Sequence, residues 1–167
     1  IALAEVNGKN GGLLRELFSY RFDTGELAGM TFGNLFLVGL SKVLGSQEAA
    51  IERAADILRI RGKALPVTMD QLDLVATYKD GRVVRGEHVI DEPEHDGKLK
   101  IVELKTEPKG RIFPKAKEAI MAAEMVILGP GDLYTSVLAT VVVDDVAGLL
   151  RQTQARLVYV MNLMTRW

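Results

Sequence analysis

The stretch from Ala123 to Leu138 constrains the fold more than any other part of the chain. Met125 to Leu128 is a short apolar run, the length of a buried strand. Gly129-Pro130-Gly131 ends it, because glycine and proline break ladders and permit tight turns. Asp132 has the chemistry of a helix N-cap, and Leu133 to Leu138 reads as the first turns of a helix. The piece is therefore strand, tight glycine turn, helix. In open α/β sheets this order sets a helix N-terminus beyond the carboxyl end of a strand, where backbone N–H groups can hold a phosphate. Thr135 and Ser136 add hydroxyl donors there. An ordinary strand-to-helix turn uses the same residues, and the Asp132 carboxylate would compete with an anion. The Gly-Lys-Ser/Thr ending of a Walker A loop is absent.

Charge and cysteine content narrow the function classes. Lys plus Arg number 21 and Asp plus Glu 22, so the net charge is −1 and nothing favours a nucleic-acid polymer. The chain has 0 Cys, which removes disulfides and thiolate metal sites and suits a reducing compartment. No apolar run approaches the ~20 residues that span a membrane, and no signal peptide is visible. A cytoplasmic location without membrane insertion is the expectation. The chain begins at Ile1 and stops at Trp167 without boundary signals, so it reads as a piece of something longer.

From the N-terminus, Asn7 to Gly12 reads as a loop and Gly12 to Tyr20 as a helix carrying Leu13, Leu14, Leu17 and Phe18. Arg21 suits either a phosphate contact or a surface ion pair. Thr31-Phe32-Gly33-Asn34 opens an apolar helix to about Val43, expected to be largely buried. Asn34 suits a ligand contact or a local cap equally. Ser46 caps a third helix, ended by Gly62. Ala64 to Thr68 reads as a short or edge strand because of Pro66.

Leu72–Tyr78 and Arg82–Ile90 flank Asp80-Gly81, a strong signal for a hairpin with a type I′ turn. Leu99 to Leu104 alternates as a third antiparallel strand, giving a β insertion over about 72–105. Glu94-His95-Asp96 is better read as a solvated loop than a metal site, since adjacent loop residues rarely converge on one ion. His88 and His95 both lie in the insertion, and Ser136 lacks the nucleophile-elbow glycines, so no Ser-His-Asp triad is expected. Pro114 to Ala122 and Val146 to Thr153 read as helices, and Leu157 to Met161 as a buried strand ending at Asn162. Gly129, Gly131 and Asn162 should then converge on one rim of the sheet.

Gly33–Leu37, Arg61–Thr68, Gly129–Val137 and Asn162–Thr165 occur in an order that resembles the YvcK-type gluconeogenesis factors of the CofD-like superfamily. Leu17 to Phe22 adds to the likeness, which runs along essentially the whole chain. The resemblance implies a single Rossmann-like three-layer α/β/α domain over 1–167, with a mainly parallel sheet and the small antiparallel insertion. It implies a nucleotide diphosphate ligand bound by Gly33, Asn34, Gly129, Pro130, Gly131, Tyr134, Thr135, Ser136 and Asn162. The form of the turn fits the branch that binds a UDP-amino sugar such as UDP-N-acetylglucosamine and regulates carbon metabolism and cell-wall synthesis. The alternative is the transferase branch, which moves a phospholactyl group from a guanosine diphosphate carrier to a deazaflavin. That chemistry would bring Mg²⁺, and Asp132 is the one acidic residue obviously placed for it. No other cofactor or metal is implied, and a homo-oligomer stays open. The family's glycine-rich opening, its Asp-Asp-Gly segment and its continuation after Asn-Leu-Met-Thr have no counterpart here. Without them, apolar sheet faces and edges are expected to lie uncovered.

Overall fold

The computed structural model describes residues 11–93 and 99–162. Of the expected loop at 7–12, residues 7–10 lie outside the described residues, as do the Glu94-His95-Asp96 segment and Leu163–Thr165, while Gly11 and Gly12 belong to the first helix. The chain divides into two compact units, Ile1–Leu65 and Pro66–Trp167.

Unit 1 is helical. Helix α1 (Gly11–Ser19) leads through a 3-10 turn at Gly25–Leu27 to α2 (Phe32–Leu44) and α3 (Gln47–Ile57). Thr31, not Asn34, caps α2: its hydroxyl accepts from Asn34 N–H at 3.3 Å. Ser46 caps α3 in the same way through Ala49 N–H at 3.2 Å. The core is small and built from Phe18, Ala50 and Ala54. The Phe18 ring meets Phe32 and Phe36 edge-on, with centroids 5.5 and 4.9 Å away. Gly33 makes the approach of α2 to α1 feasible, since a Cβ there would lie 2.9 Å from the Phe18 carbonyl oxygen.

Three expectations for this unit change. No residue of α2 is buried within the described structure, because its apolar stripe is wider than the face that α1 and α3 cover; Val38 and Val43 are 58% and 82% exposed. Helix α3 stops before Gly62 in a Schellman motif, with Arg59 N–H bonded to Asp56 O and Ile60 N–H to Ala55 O. Arg59 takes the left-handed position, at φ +47°. Ala64–Thr68 forms no strand; Pro66 offers no N–H, and the segment's bond is from Phe113 N–H to Val67 O.

Unit 2 carries both sheets. Strands β1 (Asp73–Tyr78), β2 (Val83–Arg85) and β3 (Ile101–Glu107) form an antiparallel sheet in the order β2-β1-β3. Leu74, Ala76 and Tyr78 of β1 form the core with Ile90, flanked by Ile101, Leu104, Ala139 and Val142. Burial pushes the Tyr78 phenol above its ordinary pKa. Glu107 is held below the usual carboxylate range by its hydrogen bonds to Lys105 and Arg85, which tie the strand ends together on the surface.

The hairpin at Asp80-Gly81 forms, but not as a type I′ turn. That turn needs positive φ at both central residues, and only Gly81 has it, at +87°. Gly81 N–H bonds to Tyr78 O and Tyr78 N–H to Arg82 O, which is a three-residue loop with a glycine bulge. Asp80 contributes its side chain, whose Oδ1 accepts from Arg82 N–H at 3.0 Å. Gly81→Ala should therefore cost about 1–2 kcal/mol, the penalty of an L-residue in the left-handed region. A denaturant melt measures this, and ligand affinity should stay unchanged. The expected long strand to Ile90 is cut at Gly86, whose φ of +93° turns the chain into helix α4 (Glu87–Asp91). Ile90 thereby reaches the β1 core instead of continuing the ladder.

After α5 (Pro114–Ala122), strand β4 (Met125–Leu128) pairs in parallel with β5 (Arg156–Tyr159), with Met125 opposite Arg156 and Leu128 opposite Tyr159. Helices α6 (Ala139–Val141) and α7 (Val146–Gln152) lie between them in sequence. The chain is mixed α/β. The expected mainly parallel sheet is not what the described residues show: three strands are antiparallel and two parallel. Loss of the Ala64–Thr68 strand leaves the parallel part to β4 and β5. Met125, Ile127, Leu157 and Tyr159 on that pair are each about half exposed. No described helix is long and apolar enough to cross a membrane.

Candidate functional site

The carboxyl end of β4 holds the strand–turn–helix element. Val160 N–H bonds to Leu128 O at 2.9 Å and carries the parallel pairing to the last residue of the strand. The chain then leaves through Gly129, at φ +86°. A Cβ on Gly129 would stand 2.6 Å from the Val160 carbonyl oxygen, so both the backbone angle and the neighbouring strand demand glycine. The Gly129-Pro130 peptide is cis. Gly131 has an ordinary φ; its constraint is space, since a Cβ would lie 3.0 Å from Ser136 Cβ.

The helix that follows is a π-helix over Leu133–Leu138, continuing into α6. Asp132 stands at its N-cap position, but its side chain caps nothing. Its carbonyl oxygen does the work, accepting from Ser136 N–H at 3.0 Å and from Val137 N–H at 2.9 Å. The N–H groups of Leu133, Tyr134 and Thr135 come ahead of these first helical bonds. The wider π turn is what sets Ser136, five residues on, directly over Gly131. π-turns of this kind recur at functional sites.

A cavity of ≈ 250 Å³ opens here, lined by Ile127, Leu128, Gly129, Pro130, Ser136, Val137 and Thr140. Among the described residues no charged side chain lines it. Asn162 closes the rim from the β5 side, donating from Nδ2 to Gly131 O at 3.1 Å. That bond fixes the Gly131 carbonyl.

Gly129, Pro130, Gly131, Ser136 and Asn162 come together. Tyr134 is 37% exposed on the same helix and does not line the cavity. Thr135 is buried at 7%, and its hydroxyl donates to Asp91 Oδ1 at 3.4 Å. Gly33 and Asn34 belong to unit 1, where Asn34 is exposed on the first turn of α2. The Arg21 guanidinium donates to Gly29 O. Thr140 was not singled out by motif, although it lines the cavity and donates to Val137 O at 2.8 Å. Its signal is weak: it lies one turn beyond Ser136 in an otherwise apolar run. Among the described residues no group of three His, Cys, Asp or Glu side chains is placed to hold a metal ion. Asp132 alone does not make a Mg²⁺ site.

A family profile described as 2-phospho-L-lactate transferase CofD matches residues 1–166. A gluconeogenesis factor from Halalkalibacterium halodurans is 36% identical over 167 residues, covering 99% of this chain and 50% of that protein. A Nostoc sp. protein named "Putative gluconeogenesis factor" is 42% identical over 156 residues, covering 92% of this chain and 33% of that protein. A crystal structure of a UPF0052 family member from Bacillus halodurans matches with a TM-score of 0.84 at 36% identity, covering 98% of this chain and 51% of that one. The chain thus spans a third to a half of the length of these relatives. With a match across residues 1–166, the chain belongs to the CofD family.

Proposed function

We propose that the turn at Gly129–Gly131 holds the diphosphate of a nucleotide sugar of the UDP-N-acetylglucosamine class, in a regulatory protein of carbon metabolism and cell-wall growth. The observation that carries this is the convergence of an uncapped helix start, the exposed Ser136 hydroxyl and an Asn162-fixed glycine turn on one cavity. Backbone N–H groups and a hydroxyl are the donors, and no lysine is needed. The names of the gluconeogenesis-factor relatives support the metabolic part of the reading. In this reading the two units are parts of one Rossmann-like CofD-like domain working in the cytoplasm.

The family's name favours a second reading, transfer from a guanosine diphosphate carrier. That no charged side chain lines the cavity among the described residues weighs against it. A thermal-shift comparison on the full-length gene product separates the two. UDP-N-acetylglucosamine at about 100 times its dissociation constant should add ~2.7 kcal/mol, and guanosine diphosphate clearly less. Stabilisation by guanosine diphosphate alone, with phospholactyl transfer to a deazaflavin, would reverse the assignment.

A further inference from the structure

The cavity at the β4 turn has more lining than a diphosphate needs. Gly131 and Ser136 serve the diphosphate in the proposed function. Thr140 of α6 lies one turn further on, and Ile127, Pro130 and Val137 also line the cavity. At ≈ 250 Å³ it falls short of the ~300–1,000 Å³ that encloses a drug-sized ligand. It therefore takes one part of a nucleotide sugar and not the whole.

Thr140 has a fixed polarity. Its hydroxyl proton is committed to Val137 O at 2.8 Å, so its oxygen offers a ligand only lone pairs. Beside this acceptor the surface is apolar, and Ile127 is 57% exposed, which leaves a ligand group area to cover. An acceptor next to apolar walls suits a group that donates at one atom and is apolar a bond or two away. A secondary amide with a short acyl chain has that pattern. Thr140 is itself exposed, so the amide carbonyl keeps its water. An ammonium group would meet no counter-charge among the described lining residues.

We propose that this cavity selects the acylamino group of an amino sugar: Thr140 Oγ1 accepts from its N–H, and Ile127 and Val137 cover its acyl methyl. The inference rests on the diphosphate reading of the turn and adds to it the residues that choose the sugar. In an amino sugar joined through its anomeric oxygen, the acylamino carbon adjoins the carbon that carries the diphosphate. A diphosphate held at Gly131 and Ser136 therefore brings that group towards the residues one turn on.

The test titrates UDP-N-acetylglucosamine, UDP-glucose and UDP-2-deoxyglucose by calorimetry into the full-length gene product and its Thr140→Val and Thr140→Ser variants. The N-acetyl sugar should bind about fourfold or more tighter than UDP-glucose, as burial of one methyl at ~0.8 kcal/mol implies. Thr140→Val keeps the shape and removes the acceptor. It should weaken UDP-N-acetylglucosamine about two- to tenfold, the range of one neutral hydrogen bond. UDP-2-deoxyglucose has no donor at that carbon and should lose nothing. Thr140→Ser keeps the acceptor and should restore the affinity for the N-acetyl sugar. A purely structural role for Thr140 would move all three ligands together. An equal loss for the N-acetyl and 2-deoxy sugars in Thr140→Val overturns the inference, as does equal affinity of the unaltered protein for those two. Both results leave the diphosphate reading standing, because the shared UDP still binds. Binding of none of the three overturns that reading as well.

Discussion

Gly129→Val should cripple the fold, whereas Gly131→Ala should spare it. The two glycines are a residue apart, yet they answer to different constraints. Gly129 sits at φ +86°, where a non-glycine residue costs ~1–3 kcal/mol. Its Cβ would also stand 2.6 Å from a backbone oxygen of the neighbouring strand segment. Backbone cannot rotate away as a side chain can, so overpacking adds ~1–3 kcal/mol. The sum, on the order of 2–6 kcal/mol, is a large part of a domain's usual ~5–15 kcal/mol. The added branch at valine makes the high end the expectation. Gly131 has no such angle, and its Cβ would press on Ser136 Cβ at 3.0 Å, a side chain on the exposed rim. Gly131→Ala should therefore lose ligand affinity with a melt shifted by no more than about 1 kcal/mol. Chemical denaturation of both variants tests the contrast. Comparable stability losses would show that the turn is not built as described.

How much of this was legible in the sequence depends on how many residues carry each signal. The Met125–Leu128 strand, the glycine stop and the helix after it are legible because three different chemistries change within a few residues. The pairing of that strand with Leu157–Tyr159 follows from two apolar runs separated by helix, the parallel β-α-β order. The π turn is not legible, since six residues cannot separate a 3.6-residue period from a wider one. It decides the site nonetheless: Ser136 turns to the cavity and Thr135 to Asp91. The hairpin is legible in position and not in type, because Asp-Gly serves both a two-residue turn and a three-residue loop. The strand expected through Ile90 fails at Gly86, where alternation continues on paper while a positive φ turns the chain into a helix. As side-chain caps, Asn34 and Asp132 fail for a shared reason. Both residue types cap helices well, but Thr31 reaches the α2 cap first, and the Asp132 carbonyl rather than its carboxylate serves the helix start. The family resemblance rests on ordered motifs spread over the whole chain, so it survives these local differences.

Ser136→Ala should separate binding from folding at the turn. The side chain is exposed, lines the cavity and stands over Gly131. If a phosphate takes a charge-assisted hydrogen bond from it, losing the hydroxyl costs ~1.5–3 kcal/mol in affinity, about ten- to more than a hundredfold. Folding stability should hardly move, since no buried partner is left unsatisfied. Thr135→Val is the matched control one residue away. It keeps the shape of a buried side chain and removes the hydroxyl that donates to Asp91. Its loss of about 1–2 kcal/mol should fall on stability and leave affinity alone.

The central claim is that this turn binds a diphosphate, and one calorimetric titration tests it most directly: UDP-N-acetylglucosamine into the full-length gene product and into its Ser136→Ala variant. The account predicts saturable binding to the first and an affinity at least about tenfold weaker for the second. Equal affinities for the two proteins would contradict it.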